Sequence, residues 1–305
     1  MRRAAPLLVA LALLFVPVSH ARAATDPGPY RGLGSWVDVF DYAERAQPAG
    51  VPPPVTPGSV DDMAALGART LYLQVVNPGG ASPRSLFDAE LLGQFVSRAH
   101  NAGLGVVAWY LPSVVDVDAD YAVIRQIAGF RADGEGFDGL ALDLENTQGV
   151  ADVAVRNDRV VELTKRTRKL LGQSRPLAAI VYPAVQTEVI NPALWPNFPY
   201  RRLSASVDVW MPMAYFTFRD VESGYRDPAR YTEESVSRLR TNLRDKNAVV
   251  HVIGGIADLA TPEDYIAFIN AAHATKAIGY SMYDFRTTSS AAWRYLREGN
   301  ASGAS

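Results

Sequence analysis

Short runs rich in Val, Ile, Leu and aromatic residues alternate along the chain with longer stretches whose apolar positions recur at the helical spacing of three and four. The runs begin near Ser35 (SWVDVFDY), Thr70 (TLYLQVVN), Gly105 (GVVAWYL), Gly139 (GLALDLE), Leu177 (LAAIVYP), Val207 (VDVWMPMAY), Ala248 (AVVHVIGG) and Ala277 (AIGYSMYDF). Successive starts lie roughly 30–40 residues apart, the length of a strand plus a crossover helix. Eight such units in series predict a single (β/α)8 TIM barrel rather than an open sheet.

The stretches between the runs carry helix signals of their own. Val160, Leu163, Thr164, Thr167, Leu170 and Leu171 share one face at helical spacing and predict a buried stripe. Thr261 precedes Pro262 and has an acid, Asp264, three residues on, which reads as a capped helix start. Ser59 and Asp62 read as the same arrangement in the first helix. Gly67, Gly103 and Gly172 fall where helices should stop. Pro212 lacks the N–H that a strand interior needs, so a bulge is expected in the sixth strand. Three long connections, residues 43–58, 183–200 and 216–230, follow strands and therefore belong to the catalytic face of such a barrel.

The start of the chain does not fit this rhythm. Arg2 and Arg3 precede an apolar run from Ala4 to about Val18, and Ala21-Arg22-Ala23 offers small residues at the cleavage-recognition positions. Residues 1–23 are read as a secretory signal, 24–305 as the barrel domain, and the product as exported. Its removal takes away three arginines and no acids, moving the formal charge from −2 to −5. A mildly acidic chain without a basic stripe is not expected to bind nucleic acid. No later stretch is long and apolar enough to suggest a membrane span. The 305 residues contain no cysteine, so disulfides are excluded. His100, His251 and His273 stand far apart, which argues against a histidine zinc site, and no metal or organic cofactor is expected.

The fourth strand, Asp138-Gly-Leu-Ala-Leu-Asp-Leu-Glu-Asn146, carries the candidate chemistry. Leu140, Leu142 and Leu144 alternate with Ala141, Asp143 and Glu145, so the leucines should meet the helices while the carboxylates point into the barrel mouth. Two neighbouring carboxylates raise each other's proton affinity, which lets one act as a general acid near neutral pH. The alternative is a pair neutralised by Arg or Tyr partners.

The segment Asp138-Gly-Leu-Ala-Leu-Asp143-Leu-Glu145 resembles the DGxDxDxE motif on the fourth strand of glycoside hydrolase family 18, the chitinase-like barrels. That resemblance implies a glycosidase in which Glu145 protonates the glycosidic oxygen and Asp143 orients the substrate's acetamido group, the nucleophile. Met211-Pro-Met213-Ala-Tyr215 is similar to the family's M-x-Y motif, which places Tyr215 on the reacting sugar. Ser281-Met-Tyr283-Asp284 stands where the family usually holds a tryptophan. Ala141 replaces the family's second aspartate, and Phe216 replaces the acid after the sixth-strand tyrosine. These departures keep a non-catalytic carbohydrate-binding barrel open beside the enzyme.

Further residues are expected around the mouth. Asp41, at the end of the first strand, is either a second catalytic carboxylate for a two-carboxylate glycosidase or a loop hydrogen-bonding group. Gln74, Asn77, Trp109, Tyr182 and Met213 line the mouth with Tyr283 and Asp284, and Trp195 offers a ring face to a sugar. Gly254-Gly255, ending the seventh strand, leaves a sugar-phosphate enzyme as a rival. His251, inside that strand, reads as a core residue.

Overall fold

The computed structural model describes residues 25–76 and 85–302; the expected signal at residues 1–23 and Asn77 lie outside them. Eight strands alternate with helices in chain order. They are β1 (Gly32–Val37), β2 (Thr70–Gln74), β3 (Gly105–Tyr110), β4 (Gly139–Leu144), β5 (Leu177–Val181), β6 (Val209–Pro212), β7 (His251–Ile256) and β8 (Gly279–Tyr283). The helices are α1 (Val39–Tyr42), α2 (Ser59–Ala65), α3 (Ala89–Asn101), α4 (Val117–Gly129), α5 (Val153–Leu171), α6 (Tyr200–Leu203), α7 (Pro228–Leu243), α8 (Pro262–Ala274) and α9 (Ser290–Ser302). The strands are parallel and run β6-β5-β4-β3-β2-β1-β8-β7, with the bridges Trp210↔Val250 and Met213↔Ile253 closing the ring. This is the (β/α)8 barrel that the alternation predicts.

Pro212 explains where the ring is weakest. Met213 N–H donates to Val181 of β5, while Trp210 N–H donates to Val249 beside β7. By the two-residue alternation, the donor that Pro212 lacks belongs to the β6–β7 side. The register irregularity lies in the β7–β8 pairing, between Ile253 and Ile256, and not in β6, where the bulge is expected.

Alternation along β4 divides two apolar regions. Leu140, Leu142 and Leu144 join the large core between sheet and helices, while Ala141 joins an inner cluster with Trp36, Tyr72, Trp109 and Met211. Each fully buried leucine contributes roughly 1.5–3 kcal/mol. Inside the barrel, Trp36 stacks on Tyr72 with ring centroids 4.3 Å apart, and Trp36 Nε1 donates to Ser281 Oγ at 2.8 Å. His251 Nδ1 lies 2.9 Å from the Tyr30 carbonyl and Nε2 2.9 Å from Ser281 Oγ. A carbonyl only accepts, so Nδ1 carries the proton and Nε2 accepts from the serine. Burial pushes His251 down to about 4, and it remains a neutral core residue. Tyr30, beneath β4, donates to the Leu140 carbonyl at 2.8 Å, and a Cβ on Gly139 would meet its hydroxyl at 2.7 Å.

The helix signals hold with two corrections. Val160, Leu163, Thr164, Thr167 and Leu171 are buried on α5, but Leu170 is exposed. Thr261 and Asp264 form a reciprocal capping box on α8. At α2 the cap is Gly58 without a side-chain bond, and Ser59 Oγ instead accepts from Thr56 N–H in the preceding turn. Gly254 and Gly255 are explained by packing: a Cβ would meet Met282 Sδ at 2.3 Å and Thr217 Oγ1 at 2.3 Å, respectively. Contact with neighbouring side chains accounts for both glycines without a phosphate.

Candidate active site

The carboxyl ends of the strands surround a cleft of about 300 Å³. Its floor and one wall are Asp143, Glu145, Trp109 and Gln74; Met213 and Tyr215 come from the β6 end, and Tyr283 from the end of β8. Asp38, Phe40, Leu111 and Ile256 complete the lining. Three larger hollows are separate from the cleft: one of about 470 Å³ is lined by Glu188, Phe198 and Arg202, and two, about 760 Å³ each, lie on outer helices, one holding the Asp61–Arg98 ion pair and the other lined by α7 and the turn after it. Neither of those two lies at the mouth.

Asp143 is the last inward residue of β4 and is 6% exposed; Glu145 follows the strand end and is half-buried. Asp143 Oδ1 is buried without a hydrogen-bond partner among the described residues. Burial, and then the charge of Glu145, hold the Asp143 carboxyl well above the usual carboxylate range. Burial also raises Glu145. Among the described residues no Arg or Lys forms an ion pair with either acid, so the pair is not neutralised by a cation. Below Asp143 the inward position is Ala141, set in register with Trp109 and fully buried. The aromatic filling of the barrel occupies the space under the carboxylates, leaving Asp143 without an acidic partner beneath it.

Tyr215 and Tyr182 stand within electrostatic reach of both acids. Burial, then Asp143 and Glu145, raise the Tyr215 hydroxyl well above its ordinary value, and burial followed by Glu145 raises Tyr182 to about 12. Both phenols therefore stay protonated and act as donors. Gln74 is fixed by accepting from Val39 N–H at 2.9 Å, and Trp109 Nε1 faces the Val37 carbonyl at 3.4 Å. Tyr283 donates to Asp38 Oδ2 at 2.7 Å.

Three expected site residues lie elsewhere. Trp195 is 1% exposed; its Nε1 donates to Asn157 Oδ1 at 2.7 Å and Arg156 covers its ring at 4.4 Å. It is a packed residue of the loop after β5, so it cannot present a face to a sugar. Asp41 is not on β1, because that strand ends at Val37 and Asp38 caps the helical turn α1 through Phe40 and Asp41 N–H. Strand alternation stops there, which turns Asp38 to the cleft and Asp41 into the protein. Asp284 is buried behind Tyr283, accepting from Thr287 N–H at 2.9 Å. The sequence reading missed Phe40, 53% exposed at the cleft, because the run SWVDVFDY looked like one strand. Asp38 followed by helix-forming spacing was the available signal.

No family model and no curated protein matches the sequence. Solved structures do match in fold. The glycoside hydrolase domain of PgaB from Bordetella bronchiseptica superposes with a TM-score of 0.58 at 15% identity, covering 85% of this chain and 95% of that one. A family 18 chitinase from Cycas revoluta, in complex with allosamidin, gives 0.62 at 11% identity over 90% and 99% of the two chains. An endo-β-1,4-mannanase from Thermotoga petrophila gives 0.63 at 11% identity over 92% and 78%. The chain has a chitinase-like TIM barrel, a fold shared by these glycoside hydrolases.

Proposed function

We propose that the protein is an exported glycoside hydrolase acting on a polysaccharide or oligosaccharide that contains N-acetylhexosamine. The observation that carries this reading is the pair Asp143–Glu145 at the mouth of the barrel, without an ion-paired cation among the described residues and with one buried Asp143 oxygen unsatisfied. Leaving a buried acceptor unpaired costs roughly 1–3 kcal/mol, a cost that a substrate N–H removes. The fold neighbours, named for a glycoside hydrolase domain, a chitinase and a mannanase, support a carbohydrate ligand.

The chemistry follows from the pair. Two carboxyls raised by burial and by each other's charge hold a proton above the usual carboxylate range. An acetamido N–H directed at Asp143 favours its carboxylate and moves the proton to Glu145. Glu145 then gives it to the glycosidic oxygen as the C–O bond breaks, and the acetamido oxygen closes on the anomeric carbon. The Glu145 carboxylate accepts a proton from the water that reopens this ring. Tyr215, a protonated donor over the pair, holds the reacting sugar.

The direct test is a screen of the mature protein against chitin, peptidoglycan and galactosaminan fragments, with Glu145→Gln as control. Hydrolysis by the wild type and its loss in the variant are expected. Tight binding without turnover by either protein instead establishes a carbohydrate-binding barrel, a reading that Ala141 favours. Export is tested by recovering protein from the culture medium: a chain starting near residue 24 is expected, and a membrane-bound product retaining Met1 overturns it.

A further inference from the structure

The ends of β1 and β8 meet beside the cleft, and their closure gathers three acids that are far apart in sequence. A ligand oxygen from each of Asp38, Asp41 and Asp284 lies within 4.8 Å of the others. Asp41 is 2% and Asp284 7% exposed. Among the described residues the only cation paired with the group is Arg286, whose Nη1 lies 3.4 Å from Asp41 Oδ1 and whose side chain is 55% exposed. Asp41 Oδ2 is buried and has no partner among the described residues. Three carboxylates facing one solvent-exposed guanidinium leave the joint short of positive charge.

We infer that Asp38, Asp41 and Asp284 form a binding site for a hard divalent cation of the calcium type, which ties the first strand to the last. The donor set is all oxygen, as calcium prefers. Two oxygens on opposite sides of a calcium ion at ~2.4 Å are ~4.8 Å apart, so the three acids already stand within one coordination sphere. Two of them are held in place by other bonds, as metal ligands usually are. Asp38 Oδ1 accepts from Phe40 and Asp41 N–H and its Oδ2 from Tyr283; Asp284 Oδ1 accepts from Thr287 N–H and Oγ1. Asp38 Oδ2 accepts a single bond and keeps a second lone pair for a metal. Asp41 has no such support, and its free Oδ2 supplies the unsatisfied ligand. Arg286, at the solvent edge, swings away on binding. This site differs from the histidine arrangement that the sequence argued against, and it does not depend on the glycosidase reading.

The test uses the whole mature protein after chelator treatment, titrated with calcium, magnesium and terbium. Calcium is expected to raise Tm by about 5 °C at saturation, and magnesium by less. Terbium emission should be sensitised through Trp36 and Tyr283, whose rings are 6.4 Å apart at this joint, and calcium should quench it by displacement. Both effects should vanish in Asp41→Asn and in Asp284→Asn, and persist in Glu145→Gln. Absence of a Tm shift and of emission up to about 10 mM calcium overturns the proposal. So does loss in Glu145→Gln with retention in Asp41→Asn, which places the cation on the Asp143–Glu145 pair.

Discussion

Tyr283, at the end of the last strand, donates a 2.7 Å hydrogen bond to Asp38 Oδ2, just beyond the end of the first, and both residues line the cleft that holds Glu145. The bond spans the joint of the barrel and fixes the one wall of the cleft that carries another carboxylate. Hydrogen bonds to charged groups contribute about 1.5–3 kcal/mol. Tyr283→Phe is therefore expected to lower kcat/KM by roughly 10–100-fold, while the protein keeps its fold by circular dichroism. An unchanged kcat/KM shows that this wall does not touch the substrate.

Glu145→Gln preserves size and hydrogen bonding but removes the transferable proton. Hydrolysis should fall by about 10²–10⁴-fold with little change in oligosaccharide affinity. Because burial raises Glu145, the acid form persists above the usual carboxylate range, so wild-type activity should decline as pH rises through that raised value. The pH–rate profile of the wild type checks the position of this limb, and the limb should be missing from the residual rate of the variant.

Substrates lacking the N-acetyl group separate two uses of the same cleft. They should resist cleavage if the acetamido oxygen is the nucleophile. If they are cleaved as fast as acetylated ones, the second carboxylate is Asp38, which faces the cleft, and not the inward-turned Asp41. Asp38→Asn then becomes the variant whose activity decides the matter.

Trp195→Ala should destabilise the protein by about 3–5 kcal/mol, as expected for a buried aromatic. It should weaken long and short oligosaccharides alike. Phe40→Ala, at a half-exposed cleft residue, should leave Tm nearly unchanged and weaken sugar binding. Melting curves beside binding titrations for the two variants check both statements.

Asp41 predicts a pH-dependent stability. Burial, then the charges of Asp38 and Asp284, raise its carboxyl to about 7, with Arg286 opposing them. The folded state thus holds the proton more tightly than the unfolded chain, whose aspartate ionises near its ordinary value of about 4. The contribution is present at pH 4 and is lost as pH rises to about 7. In chelator, Asp41→Asn should be more stable than the wild type at pH 8, and the difference should close toward pH 4. Denaturant titrations at the two pH values measure it.

Much of the architecture was legible in the sequence because it is written in local patterns. Period-two alternation places Leu140, Leu142 and Leu144 against the helices and Asp143 inside the barrel. Helical spacing and the Thr261 cap are likewise readable from a few neighbouring residues. The strand series and the pair Asp143–Glu145 need nothing beyond this. The burial of Trp195 was not legible, because it depends on Asn157 and Arg156, about 40 residues earlier, closing over the ring. The exchange of roles between Asp38 and Asp41 turned on a strand that ends one residue before a helix cap, where one-residue differences reverse which side chain faces the cleft. The gathering of Asp38, Asp41 and Asp284 required ring closure, since β1 and β8 meet only when the first strand pairs with the last. Local periodicity determines which face a side chain takes within its own element; only the closed tertiary structure decides which distant charges must share one buried space, because that proximity is created by long-range strand pairing.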